Sequence, residues 1–195
     1  MTVDVAIAQR PMAGELVCGD DFAIARDATT TTIAIADGLG HGPAAAEAAR
    51  QFCAFVSAHP GRDLEFLLRE AGAAIAKTRG AAAAILRVDE SARRLSFAGV
   101  GNIEMRSLGG AFHPVCTPGI VGRPIRRVTC FAHEFRGDQL ILLHSDGIST
   151  RFDMETYRSL PSDEMAKTIL SNHGKDHDDA TCIVVRCPGA PAVVE

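Results

Sequence analysis

Tryptophan is absent from the 195 residues, tyrosine occurs once, and neither sign of charge dominates, with 20 Lys and Arg against 24 Asp and Glu. A net charge of −4 provides no basic field for nucleic acid or anionic lipid, so neither is expected as a partner. There is no C-x-x-C pair. Cys18, Cys53, Cys116, Cys130, Cys182 and Cys187 are scattered, several within apolar runs where cysteine behaves as a small hydrophobe, and they read as reduced thiols. No apolar run reaches membrane-spanning length, and MTVDVAIAQR lacks the charged-then-apolar layout of a secretory signal. A cytoplasmic protein is expected. What the chain does have, 47% hydrophobic and 23% charged residues, is enough for one globular domain over residues 1–195 and argues against general disorder.

The chain is organised around Thr29 to Ala49, TTTTIAIADGLGHGPAAAEAA. Thr29–Ala36 is β-branched and apolar enough for a buried strand, and the alanine-rich run from Pro43 reads as a helix with proline in its first turn. Asp37 is delivered at the strand's end, and Gly38, Gly40 and Gly42 let something approach the backbone closely. A dinucleotide loop also joins strand to helix through glycines. The G-x-G-x-x-G pattern from Gly38, however, would need glycine at Pro43, and no Lys or Arg lies between Asp37 and Glu47 to offset a pyrophosphate. A nucleotide-binding oxidoreductase is therefore disfavoured. A carboxylate beside a free glycine carbonyl suits a hard divalent cation instead. A single Asp-Gly is equally an ordinary turn pair.

Alternation places strands at Val3–Ala8, Phe22–Ala25, Ala81–Val88 and Leu95–Val100, with Ile103–Leu108 and Phe112–Val115 continuing an antiparallel meander. Val128–Phe135 and Gln139–Leu143 read as a further pair around Arg136-Gly137-Asp138, and Cys182–Arg186 as the last strand. Helical spacing of Phe52, Phe55 and Val56, and of Leu64, Leu67, Leu68, Ala71 and Ile75, predicts helices over 43–59 and 63–78. A third is expected over Ser162–Asn172, with Ser162 as N-cap and Gly174 just past its end. Few aromatics and no long loops suggest a shallow, open cleft.

His144-Ser145-Asp146-Gly147 repeats the apolar-strand-into-Asp-Gly design, which makes two turns of chance less economical. Acidic residues stand at strand–loop junctions in four remote places: Asp20 and Asp21, Asp37, Asp146, and Asp178 with Asp179. Carboxylates converging on one rim cannot all stay ionised without cations. Two cations about 3.5–4 Å apart could turn a shared water into hydroxide and brace a phosphoryl group, so phosphate ester hydrolysis is the expected reaction.

The ordered set G-D-D-F (Gly19–Phe22), A-D-G-L-G-H-G (Ala36–Gly42), R-G-A-A-A-A-I-L (Arg79–Leu86), G-V-G-N (Gly99–Asn102), S-D-G (Ser145–Gly147) and D-D-A-T (Asp178–Thr181) resembles the metal-dependent protein phosphatases of type 2C, the PPM family, across nearly the whole chain. Within it, the small bacterial branch of sporulation stage II and stressosome phosphatases is the most similar. The resemblance implies an α+β fold, a four-layer α-β-β-α sandwich of two antiparallel sheets flanked by helices, with two Mn²⁺ or Mg²⁺ ions at one end. It implies that Asp37 bridges both ions, Gly38 offers its carbonyl to the second, Asp20 joins that shell through water, and Asp146 and Asp178 hold the first. Asp179 would support the site without binding metal, and Asp21 would be solvated. The implied activity is phosphoserine and phosphothreonine hydrolysis by a metal-bridging hydroxide, on phosphorylated signalling partners such as stressosome scaffold proteins, by a monomer.

The chain departs from that family pattern in three places. The segment Pro11–Val17 has no arginine to grip phosphate, leaving Arg10 as a substitute. Leu39 stands where histidine often follows the Asp-Gly, so His41 either donates the proton or holds the turn. Asn102 replaces an aspartate associated with a third metal, so two ions are expected. The competing class is a catalytically silent sensor or binding module on the same fold.

Overall fold

The computed structural model describes residues 2–109 and 112–189. Among the described residues nine strands form: β1 (Asp4–Arg10), β2 (Asp20–Arg26), β3 (Thr30–Gly38), β4 (Ala81–Asp89), β5 (Arg94–Val100), β6 (Glu104–Leu108), β7 (Cys130–Glu134), β8 (Gln139–His144) and β9 (Ala180–Cys187). The helices are α1 (Pro43–Ala58), α2 (Leu64–Ala74) and α3 (Ser162–His173), with a 3₁₀ turn at Met154–Tyr157. All strand pairs are antiparallel, in two sheets ordered β2-β3-β4-β5-β7 and β1-β9-β8-β6.

The period-two pattern decides the layering. On β3, Ile33 and Ile35 turn into a core shared with Leu86, Phe97, Leu143, Ile183 and Val185 of both sheets. Ala34 and Ala36 turn the other way, onto Phe52, Val56, Leu67 and Leu68 of α1 and α2. Across the second sheet, Leu142, Cys182 and Val184 pack on Met165 and Ile169 of α3. The result is the expected α-β-β-α sandwich. No helix among the described residues is long and apolar enough to cross a membrane, and the cysteines are free thiols.

Connectivity differs from the sequence reading. The meander stops after β5, because β6 crosses to the other sheet and pairs with β8. Residues 112–115 form no strand. Nor do β7 and β8 pair with each other: β7 joins β5, and β8 lies between β6 and β9. Alternation reports which face a strand buries, not which neighbour it chooses. A long connection, residues 109–129, separates β6 from β7, against the expectation of short loops. Ser162 is the first residue of α3 and not its cap, its hydroxyl being spent on Asp4, and Gly174 is extended, not left-handed. The second helix ends at Ala74, capped at its start by Asp63, which accepts from the Phe66 N–H at 2.8 Å.

Phe97 is fully buried between the sheets. Phe97→Ala is expected to cost about 3–5 kcal/mol in urea unfolding; a loss under about 1 kcal/mol would show that the inter-sheet core is not closely packed there.

Candidate functional site

Strand register gathers the acids. Asp20 is the Cα partner of Asp37 on adjacent antiparallel strands, so both carboxylates leave the sheet on the same face, toward the space between the sheets. Asp21, one residue on, turns to the helix side, where it is half-buried and feels Arg50; the sequence reading had it solvated. Opposite, β8 runs through His144 and Ser145 into Asp146, and Asp178 and Asp179 immediately precede β9. Asp37, Asp146 and Asp178 line one cavity of about 540 Å³ together with His41, Asn102 and Ile120. Four remote segments therefore meet at one end of the sandwich.

Two close backbone approaches make this end possible. A Cβ on Gly38 would lie 2.0 Å from the Ala45 carbonyl of α1, and one on Gly147 would lie 1.9 Å from the Asp179 carbonyl. Only glycine lets the two Asp-Gly turns press against their neighbours. At the start of α1, Gly42 has φ 71°, a left-handed value that suits glycine ahead of Pro43.

Burial and mutual repulsion dominate the electrostatics. Asp37 is pushed from 3.8 to about 8, first by burial and then by Asp20, Asp146, Asp178 and Asp179. Asp20, 4% exposed, is raised to about 7 by burial, against hydrogen bonds that favour its ionised form. Asp178 is also raised, by burial and by Asp146. Two buried carboxylate oxygens, Asp20 Oδ1 and Asp179 Oδ2, have no hydrogen-bond partner among the described residues. Oxygen donors that are desolvated, repelling and unsatisfied fit hard divalent cations. Among the described residues, no three of them stand close enough together to form a ready-made metal cage.

Several supporting residues escaped the sequence reading. Ser145 Oγ donates to Asp20 Oδ2 at 2.7 Å and accepts from the Thr181 N–H at 3.0 Å, tying the two sheets together beneath the acids. Gln9 Nε2 donates to the Asp20 carbonyl and to Thr181 Oγ1, each at 3.1 Å. Lys175 Nζ donates to the Asp146 carbonyl. Only tertiary pairing exposes these roles, although Ser145 was already visible beside Asp146 in the S-D-G motif.

The remaining expectations sort as follows. Asn102 Nδ2 donates to Asp146 Oδ2 at 2.7 Å, so it orients a carboxylate. Asp179 Oδ1 accepts from the Met12 N–H at 2.9 Å and pins the 11–15 loop. His41 lines the cavity and its Nδ1 lies 2.7 Å from Glu15 Oε1. Arg10 is drawn away to Asp176 at 3.1 Å and does not line the cavity, so its substitute role fails.

A family model described as stage II sporulation protein E (SpoIIE) matches residues 27–188. The phosphoserine phosphatase RsbX of Bacillus subtilis (strain 168) is 28% identical over 151 residues, 75% of each chain. Among solved structures, a chain from work on the bacterial stressosome, a modular system adapted to control secondary messenger signaling, superposes with TM-score 0.91 at 31% identity, covering 95% of this chain and 100% of that one. The crystal structure of RsbX in complex with magnesium superposes with TM-score 0.84 at 24% identity, covering 94% of each.

The folded, cation-free chain holds protons on Asp20 and Asp37 to higher pH than the unfolded chain does, so its stability should fall between about pH 4 and pH 8. Thermal unfolding is expected at a lower midpoint at about pH 8 than at about pH 5.5. Added Mn²⁺ should raise the midpoint more at the higher pH; an equal rise at both would contradict the account. Ser145→Ala should weaken Mn²⁺ binding by roughly 10–100-fold by titration calorimetry.

Proposed function

The chain belongs to the SpoIIE family of PP2C-type phosphatases, and from that premise we propose that it hydrolyses phosphoserine and phosphothreonine on signalling proteins, with phosphorylated stressosome scaffold proteins as substrates. One observation carries the reading: Asp37, Asp146 and Asp178, far apart in sequence, share one cavity, where burial and like charge raise Asp37 and Asp178. The 28% identity to a phosphoserine phosphatase supports the substrate class, and the likeness to a chain from stressosome work supports the partner.

In this reading, residues 1–195 act as one phosphatase domain and two divalent cations, Mn²⁺ or Mg²⁺, are held at the acidic end. Asp37 would hold both, with the Gly38 carbonyl and Asp20 completing one shell and Asp146 and Asp178 the other. When bound, the cations supply an acidified water and a positive face for the phosphoryl oxygens. The chain's own groups do the positioning. Asn102 orients Asp146, Ser145 and Gln9 fix Asp20, and Lys175 anchors the backbone at Asp146. Glu15 holds the Nδ1 side of His41, leaving Nε2 to carry a proton to the departing serine oxygen. Ile120 and Leu39 give the cavity apolar walls.

Asp37→Asn is expected to keep the fold by circular dichroism and to lower Mn²⁺-dependent phosphate release from p-nitrophenyl phosphate on the order of 10²–10³-fold. Full activity in that variant would sink the assignment. A native chain that neither binds Mn²⁺ nor releases phosphate would favour the silent binding module.

A further inference from the structure

A second groove, about 620 Å³, runs the whole length of β6 and shares Gly101 and Asn102 with the carboxylate cavity. Its floor is the outer edge of an edge strand: β6 pairs with β8 on one side and, among the described residues, with no strand on the other. Its walls are the strip His113–Cys116 and, opposite, Asp153 and Met154.

The free edge faces into this groove. The Ile103 carbonyl already points at the strip, accepting from Cys116 Sγ at 3.1 Å. Backbone groups of a strand alternate in direction, so Met105 turns the same way as Ile103. No backbone hydrogen bond to Met105 is formed from outside its sheet among the described residues. The wall carries Val115, an exposed apolar side chain at 68% exposure. A strand edge without a partner strand is what an extended peptide can extend.

We propose that β6 receives the segment flanking the phosphorylated serine or threonine as an added strand, Val115 packing on its side chains, so that the phosphoryl group arrives past Asn102 at the acidic cavity. This rests on the phosphatase reading and deepens it: the substrate is a phosphoprotein whose modified residue lies beside an extended segment. Continuity decides the occupant, because a ligand in the groove leads directly to Asp146, which Asn102 touches. Free phosphate or a small ester would fill only the cavity.

The test uses the Mn²⁺-loaded chain, p-nitrophenyl phosphate, and a phosphoserine peptide flanked on both sides by alternating threonine and valine. A series of these peptides is methylated singly on successive backbone nitrogens. Methylation at alternate positions on one side of the phosphoserine should lower kcat/KM about 10-fold, with the positions between them unaffected. Val115→Asp should lower kcat/KM for the peptide about 5-fold or more, chiefly through KM, and leave p-nitrophenyl phosphate hydrolysis unchanged. Uniform rates across the methylated series, or no preference for peptide over small ester, overturns strand addition while the phosphatase reading stands. Failure to hydrolyse either substrate overturns both.

Discussion

Repulsion among buried carboxylates is the constraint on which the acidic end depends. Asp20 and Asp37 are register partners on neighbouring strands, and Asp146, Asp178 and Asp179 add further negative charge from the opposing sheet. In water such groups would move apart; here the sandwich core fixes the strands that carry them. The energy of packing Ile33, Ile35, Phe97, Leu143 and Ile183 is thereby spent in part on holding like charges together. A binding site for divalent cations is the ordinary way a fold makes use of that cost.

The hydrogen bonds around the site share a purpose. Ser145 reaches from one sheet to Asp20 on the other, Gln9 braces the same strand, and Asn102 holds one oxygen of Asp146. Ser145 and Asn102 each fix the direction of a carboxylate through one of its oxygens, and Gln9 fixes the backbone that carries Asp20. The two Asp-Gly turns solve a steric version of the same problem, since any side chain at Gly38 or Gly147 would push apart the backbones that bring the acids into range. Charge, geometry and glycine thus belong to one design.

The cavity does not end at the acids. Gly101 and Asn102 also line the groove beside β6, walled in part by the long connection that the sequence reading had not anticipated. Hydrolysis needs only the carboxylate end. In the proposed reading, selecting a phosphoprotein needs surface beyond it, and the departure of the chain from a simple meander, with β6 transferred to the second sheet, sets an edge strand next to the acidic cavity.

Local chemistry made much of this legible in the sequence. The alternation of β3 and the spacing in α1 and α2 follow from which faces must be apolar, and an acid delivered at a strand's end by an Asp-Gly turn is written in adjacent letters. Strand partnership was not: β6 read as continuing the meander from β5, and β7 and β8 as a pair, yet which edge accepts which strand depends on whole sheets meeting. The same holds for Arg10, whose charge suggested phosphate until Asp176 claimed it, and for Asp21, which register turns away from the site. The sequence determined which acids exist and that each ends a strand, because those properties are local. Only the tertiary structure decided which acids share a cavity and what lies beside it, because distance between remote segments is set by packing.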